Sequence, residues 1–144
     1  MASTISARDG VAAVAAYTDL ELASDSRSLV FRISGRAYVC QVSAVREVVP
    51  LEHLARLPGA PAAILGIINV RGSIVTVVNG AAVLHPRAAA GHLTMVLIVD
   101  VGVRGVGLAV ERVADVRALR VEEGYTELDV REVVTRVVAI SEDE

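Results

Sequence analysis

The segment from residue 64 to residue 79 constrains the fold more than any other part of this chain. It consists of two apolar runs, Ile-Leu-Gly-Ile-Ile-Asn-Val and Ile-Val-Thr-Val-Val-Asn, joined by Arg71-Gly72-Ser73. The runs alternate poorly between apolar and polar residues, which is typical of strands covered on both faces, as in a small barrel or sandwich. A charge in a buried hairpin needs a partner, so we expect Arg71 to pair with a carboxylate or to contact another protein.

The composition favours many short strands. Hydrophobic residues make up 53% of the 144 residues, yet aromatic residues make up only 3% and there is no Trp. The core must therefore consist of Val, Ile, Leu and Ala, and β-branched side chains pack well on a pleated sheet. The formal net charge of −3 is small and evenly spread, which argues against a nucleic-acid binder, since such proteins display basic patches.

Short apolar segments separated by Gly-bearing turns recur along the chain and predict an all-β sandwich or a pair of barrels. Seven or eight strands are predicted, at residues 29–33, 37–42, 66–71, 74–78, 94–101, 106–113 with its continuation 114–121, and 133–140, and a short helical turn at Ser43 leads to residues 45–49. Asn79 and Gly80 are compatible either with a turn or with the start of a short helix. Residues 1–28 are rich in Ala, Ser and Asp, and we expect a flexible leader there, followed by one folded domain from residue 29 to residue 144.

The sequence contains no recognisable catalytic or metal-binding constellation. The single cysteine, Cys40, cannot form an internal disulfide, and the three histidines lie in loop-like stretches without ligand spacing. There is no signal peptide and no apolar run long enough to span a bilayer. We therefore expect a cytoplasmic protein that uses no cofactor or metal and is not an enzyme. A small hydrolase that uses Ser73 or a loop histidine is a remote alternative.

The 64–79 segment also resembles the Gly-x-x-Asn-Leu-Arg-Gly-x-Ile signature of CheW-like coupling domains. The matching residues are Gly66, Asn69, Val70, Arg71, Gly72 and Ile74. Weaker similarity covers the chain from about residue 29 to residue 140, including Tyr38, the stretch 45–48, the pair 57–58 and the stretches 96–99 and 107–113. No single stretch is decisive, and the resemblance rests on their order and spacing together.

The resemblance implies a fold and a function. The fold would be two SH3-like, five-stranded β-barrels side by side, and the protein would be a cytoplasmic adaptor joining chemoreceptors to a CheA-type histidine kinase in chemotaxis or motility. In that family the cytoplasmic tip of the methyl-accepting chemoreceptor docks in a hydrophobic groove between the barrels. By position, the groove would use Val45, Glu47, Val48, Gly66, Asn69, Arg71, Gly72 and Val96.

Each of these residues also has a purely structural interpretation. Val45, Val48 and Val96 are of a type more often found in a plain core. The glycines are compatible with turns or close packing alone. Glu47 and Arg71 could pair with each other without any partner protein.

The chain departs from the family pattern at its end. Family members usually close with another strand and a helix of the form apolar-run-Asp-Leu-x-x-Leu-Leu, and we predict that both are missing here. The open edge would weaken or abolish kinase coupling, pair with another CheW-like protein, or be covered by the leader. The leading hypothesis is a receptor-binding adaptor with impaired kinase coupling, similar to short, divergent FrzB-type members. The alternative is a complete scaffold that bridges receptor and kinase.

Overall fold

The computed structural model describes residues 27–88, 91–118 and 125–142. These parts of the chain form two β-sheets, two α-helices and a short 3₁₀ turn at Val42–Ala44. The strands are β1 (Arg27–Ile33), β2 (Arg36–Gln41), β3 (Glu47–Pro50), β4 (Ile64–Val70), β5 (Ser73–Asn79), β6 (Met95–Val101), β7 (Arg104–Val110), β8 (Arg112–Ala118) and β9 (Tyr125–Glu127). The helices are α1 (Gly80–Leu84) and α2 (Val130–Glu142). The predicted all-β class is confirmed, whereas the predicted leader lies almost entirely outside the described residues.

The strands fall into one sheet of order β8-β1-β2-β9 and another of order β3-β6-β7-β5-β4. All described pairings are antiparallel except β2 with β9 and β5 with β7. The resemblance implied five strands in each barrel. In the described parts of the chain the second sheet has five strands and the first has four.

The five-stranded sheet curls so that its two edge strands approach each other. Its edge strands β3 and β4 are separated by three other strands, so a flat sheet would hold them about 19 Å apart. Instead, Arg71 Nη2 at the end of β4 donates a hydrogen bond to Glu47 Oε1 in β3 at 2.7 Å. The sheet is therefore rolled into a barrel. Its small interior is formed by Ile68, Val75, Val77, Val96, Ile98 and Ala109.

A larger core joins the two sheets. The opposite face of the barrel contributes Leu97, Val99 and Leu108, and the first sheet contributes Phe31 and Ile33. These side chains are buried in one continuous cluster. Since each sheet buries its apolar face against the other, the two sheets are held in a fixed mutual position by apolar packing.

The C-terminal segment corrects the sequence-based prediction. Residues 133–140 belong not to a strand but to α2, which spans Val130–Glu142. The helix begins after Asp129, whose Oδ1 accepts a hydrogen bond from the Glu132 backbone N–H at 3.0 Å, as a helix N-cap does. The helix then packs a buried stripe of valines into the shared core, at positions 130, 134, 137 and 138.

The valines of this segment explain why a strand was predicted instead of a helix. Their β-branched side chains suggested a strand, but their spacing of four, three and one residues is that of one helix face. Asp129-Val130-x-x-Val133-Val134 also fits the family's closing pattern, with valine replacing leucine. The prediction that the closing helix is missing is therefore wrong.

Asn79 settles another question that the sequence left open. Its side-chain Oδ1 accepts a hydrogen bond from the Ala82 backbone N–H at 3.0 Å, so it caps α1 rather than forming a hairpin turn. Helix α1 approaches β7 closely, because a Cβ on Gly80 would lie 2.4 Å from the Ala109 carbonyl oxygen. Only glycine fits at that position without displacing the backbone.

Candidate partner-binding site

The β4–β5 hairpin presents Arg71 at its tip. Arg71 and Gly72 both have positive φ angles, of 50° and 87°, as the two central residues of a type I′ turn require. Asn69 Oδ1 accepts a hydrogen bond from the Gly72 backbone N–H at 2.8 Å. Asn69 and Gly72 therefore fix the turn that orients Arg71, which gives both of these predicted site residues a positioning role.

Arg71 combines an ion pair with an exposed position. Its guanidinium bonds both carboxylate oxygens of Glu47, and this hydrogen bonding, followed by the charge of Glu47, raises the pKa of Arg71. The side chain of Glu47 is 14% exposed, whereas that of Arg71 is 75% exposed. The expectation that Arg71 pairs with a carboxylate is confirmed, and most of its surface remains accessible to another molecule.

A second ion pair lies beside the first along the chain. Arg46 Nη1 is 2.7 Å from Asp100 Oδ1 and connects the residue before β3 to β6. The Arg46 side chain also covers Gly105, since a Cβ there would lie 2.6 Å from Arg46 Nη2. Both ion pairs are partly exposed and screened by solvent. We therefore expect them to hold side chains in position rather than to contribute much to the free energy of unfolding.

Beside the Arg46–Asp100 ion pair, a groove runs from the end of β6 in the second sheet, past the 3₁₀ turn and the start of α2, to β2 and β9 in the first sheet. One half has a volume of about 360 Å³ and is lined by Ser43, Ala44, Val45, Arg46, Asp100, Asp129 and Arg131. The other half has a volume of about 330 Å³ and is lined by Val39, Cys40, Gln41, Ala44, Glu127, Leu128 and Asp129. The halves share Ala44 and Asp129. We call the two halves together the inter-sheet groove.

The predicted apolar site residues lie deeper than the sequence suggested. Val45, Val48 and Val96 are all buried, and of these three only Val45 lines the inter-sheet groove. Val48 belongs to the core between the sheets, and Val96 lies in the barrel interior, where it packs against Gly107. For Val48 and Val96 the structure therefore supports the core interpretation, and a partner has no access to Val96.

Gly66 lies where the backbone of the preceding loop approaches β4 closely. A Cβ at this position would lie 2.4 Å from the Ala55 carbonyl oxygen and 3.0 Å from a methyl group of Leu54. Ala55 forms an antiparallel bridge with Ile67, so the segment before β4 lies alongside the edge of that strand close to Gly66. The residue lets this segment cover the barrel edge, and no contact with a partner is needed to explain it.

This geometry predicts that Gly66→Ala destabilises the protein by about 1–3 kcal/mol, as overpacking of a rigid contact does. Chemical denaturation followed by circular dichroism measures the free energy of unfolding. Gly59→Ala is the matched control, because Gly59 also has a positive φ but would meet nothing within 4 Å. Equal losses in the two variants would contradict a role for the Leu54–Ala55 contact.

Sequence reasoning missed the exposed apolar residues at this end of the barrel. Ile74 lies opposite Asn69 on the hairpin and is 61% exposed, and Val103 is fully exposed at the β6–β7 turn. Ile74 was noted only as part of the signature motif, and Val103 was not singled out. No sequence signal distinguished either residue, because single apolar side chains on a surface are common.

Among the described titratable residues, the thiol of Cys40 is buried and its pKa is raised. Burial and the nearby charge of Asp129 raise the pKa of Cys40 to about 12, so its thiol is protonated at neutral pH and a poor nucleophile. His85 Nε2 bonds the hydroxyl of Tyr38. In the described ranges, no group of three or more His, Cys, Asp or Glu could hold a metal ion. None of the described helices has the length and apolar character needed to cross a membrane.

Comparison with known proteins identifies the family. A family model described as the CheW-like domain matches residues 27–143. The chemotaxis protein CheW of Rhizobium meliloti is 36% identical over 97 residues, which are 66% of this chain and 63% of that protein. The probable chemotaxis protein CheW of Rhizobium etli is 32% identical over 93 residues, which are 64% of this chain and 60% of that protein.

A solved structure agrees with the sequence comparisons. The crystal structure of the scaffolding protein TtCheW from Thermoanaerobacter tengcongensis matches with a TM-score of 0.60 and 26% identity, over 67% of this chain and 63% of that one. The chain thus spans less than two thirds of the length of the relatives it matches. With a family model covering most of its length, this chain belongs to the CheW-like domain family.

Proposed function

We propose that this chain is a non-enzymatic chemosensory adaptor that binds the cytoplasmic tip of a chemoreceptor at the inter-sheet groove. The observation that carries the proposal is the position of Arg71. In a CheW-like fold, a tight turn directs its guanidinium outward and leaves it 75% exposed. Its partner Glu47 directly follows Arg46, which lines the groove and pairs with Asp100. The relatives named for chemotaxis support the same assignment.

The groove suits a helical partner. Val45 and Ala44 give it an apolar floor, and Arg46, Asp100 and Arg131 surround that floor with charges of both signs. In helix-in-groove recognition, apolar anchors fill the floor while charged residues at the edge set the orientation. We assign direct contact to the exposed groups Arg71 and Ile74, with Val45 and Ala44 beneath the partner. Glu47, Asn69 and Gly72 position Arg71.

Binding of a purified receptor signalling tip, measured by calorimetry, tests the proposal. We expect measurable affinity for the wild type and a loss on the order of tenfold for Ile74→Asp, as at an apolar contact residue of moderate importance. Leu57→Asp is the matched control, because Leu57 is also partly exposed but lies in the loop before β4. No binding by the folded wild type would contradict the proposal.

Two versions of this function differ in how firmly the chain binds the kinase. The weakened-coupling version was based on a missing final strand and helix, and α2 is present. The presence of α2 favours the second candidate, a complete scaffold that bridges receptor and kinase. Similarity to FrzB-type members stays a prediction.

A pull-down with the regulatory domain of a CheA-type kinase separates the two versions. The weakened-coupling version predicts no retained kinase domain under conditions in which the receptor tip is retained. The complete-scaffold version predicts that both are retained. A kinase domain retained as firmly as the receptor tip would rule out weakened coupling.

A further inference from the structure

Five charged side chains of the described residues line the inter-sheet groove, and three of them have a structural partner. Arg46 and Asp100 pair with each other at 2.7 Å. Asp129 caps α2, where a carboxylate is stabilised by the partial positive charge of the helix N-terminus. The charges that remain without such a structural role are those of Arg131 and Glu127.

Arg131 and Glu127 are both exposed. Among the described residues, neither side chain has an ion-pair or hydrogen-bond partner. Arg131 lines the half of the groove that is bordered by the end of β6, and Glu127 lines the half that is bordered by β2. The groove therefore carries one uncompensated charge in each half, and the two charges have opposite signs.

The position of Arg131 is unfavourable for the helix that carries it. Arg131 is the second residue of α2, and a cation in the first turn is repelled by the partial positive charge of the helix N-terminus. Glu132, in the same turn, has the favourable sign and pairs with Arg136 one turn later. A side chain that contradicts a local preference, and that lines a groove, indicates a role outside its own helix.

We propose that these two charges make the groove accept its partner helix in one orientation, with a carboxylate of the partner beside Arg131 and a cationic side chain beside Glu127. This inference rests on the proposed function, and it specifies the order of charges that the receptor tip must present. Charged groups at the edge of an interface control orientation and association rate more than they control affinity.

A helix that carries both signs matches these charges better than a partner of a single sign. A nucleic acid or an anionic lipid surface would be attracted by Arg131 and repelled by Glu127. A helix presents side chains three and four positions apart on one face, so an acidic and a basic group can face the groove together. The two halves meet at Ala44 and Asp129, so one continuous helix reaches both.

Exchange of the two charges tests the proposal without changing the net charge of the chain. In the double variant Arg131→Glu with Glu127→Arg, the groove presents the reverse order. We expect the association rate for the purified receptor tip to fall at least about fivefold at low salt. In about 1 M salt, where the Debye length is about 3 Å, the difference should nearly disappear. Surface plasmon resonance measures the rate, and circular dichroism verifies that the variant is folded.

The double variant Glu132→Arg with Arg136→Glu is the matched control. It exchanges the same two residue types in an exposed ion pair of α2 that lines neither half of the groove. The association rate should therefore stay at the wild-type value. An equal loss in both double variants would contradict the proposal, because the effect would then not depend on the groove.

Compensating changes in the receptor tip test the contact with Arg131. Arg131→Glu alone should slow association, and replacement of one acidic residue of the tip by lysine should restore most of the lost rate. If no acidic position restored it, Arg131 would not contact a carboxylate and the proposal would be wrong. Phosphatidylserine vesicles that displaced the tip from the groove, or self-association that the exchanged variant abolished, would overturn the proposal as well.

The outcomes separate this inference from the proposed function. A receptor tip that bound the wild type and the exchanged variant at the same rate would refute the inference and leave receptor binding intact. A folded wild type that did not bind the tip at all would refute the proposed function, and the inference with it.

Discussion

Arg71→Glu is expected to reduce binding of a chemoreceptor tip on the order of 100-fold while the chain remains folded, as reversal of an interfacial charge does. The change replaces an outward guanidinium with a carboxylate and sets it against Glu47, the present partner of Arg71. Calorimetry of the purified variant with the receptor tip measures the loss. Thermal unfolding monitored by circular dichroism verifies that the fold is retained.

The exchanged pair Arg71→Glu with Glu47→Arg separates the two roles of this residue. It restores opposite charges across β3 and the hairpin tip, so any purely structural contribution should return. It leaves a negative charge at the exposed position, so binding should stay weak if Arg71 contacts the receptor. Full recovery of binding in the double variant would show that Arg71 only closes the barrel.

Val134→Asp is expected to have the largest effect on stability. Val134 lies on the inner face of α2 and is fully buried in the core shared by both sheets. An unpaired carboxylate there would be removed from water without a partner, and we expect a loss of about 3 kcal/mol or more. That is a large part of the stability of a domain of this size. Chemical denaturation measures it.

Thr135→Asp is the matched control for this prediction. Thr135 is the next residue of the helix and is exposed, so the same substitution there should change the free energy of unfolding by no more than about 0.5 kcal/mol. If Val134→Asp were as stable as Thr135→Asp, α2 would not be docked on the sheets. The assignment of residues 133–140 to a helix packed in the core would then be wrong too.

Local turn chemistry could be predicted from the sequence because it depends on neighbouring residues. Arg71-Gly72 between two apolar runs indicated a hairpin, which is confirmed. Of the two partners expected for Arg71, a carboxylate or another protein, the structure contains the carboxylate. Pairing of Arg71 with Glu47 in particular was only one of the interpretations. Glu47 is 24 positions away, and it meets Arg71 only because the sheet rolls up.

The C-terminal helix was missed because the high valine content of this segment was given more weight than the helical spacing of those valines. Residues 130–138 contain five valines, and strand propensity dominated the interpretation. The helical spacing of Val130, Val134 and Val137 was visible, as was Asp129 as a possible cap. Tertiary packing outweighs the modest helix propensity of valine here, since the buried stripe fits between the sheets.

The candidate site was harder to predict, because the chain builds two cores back to back. On β6, Val96 faces the barrel interior and Leu97 faces the other sheet, so both alternating faces are buried. An apolar residue in such a strand cannot be assigned to a groove from its own sequence. The groove itself is assembled from the 3₁₀ turn, the end of β6 and the start of α2, which only the long-range packing brings together.

The most direct measurement is a titration of the isotopically labelled chain with the receptor tip, followed by amide chemical shifts. Binding at the inter-sheet groove and at the neighbouring β4–β5 hairpin tip predicts the largest changes at residues 39–46, 69–74, 100 and 127–131. It also predicts that the amides of β8, which pairs with β1 and lines neither half of the groove, change little. Changes confined to β8, or none at saturating receptor tip, would contradict a receptor-binding groove between the sheets.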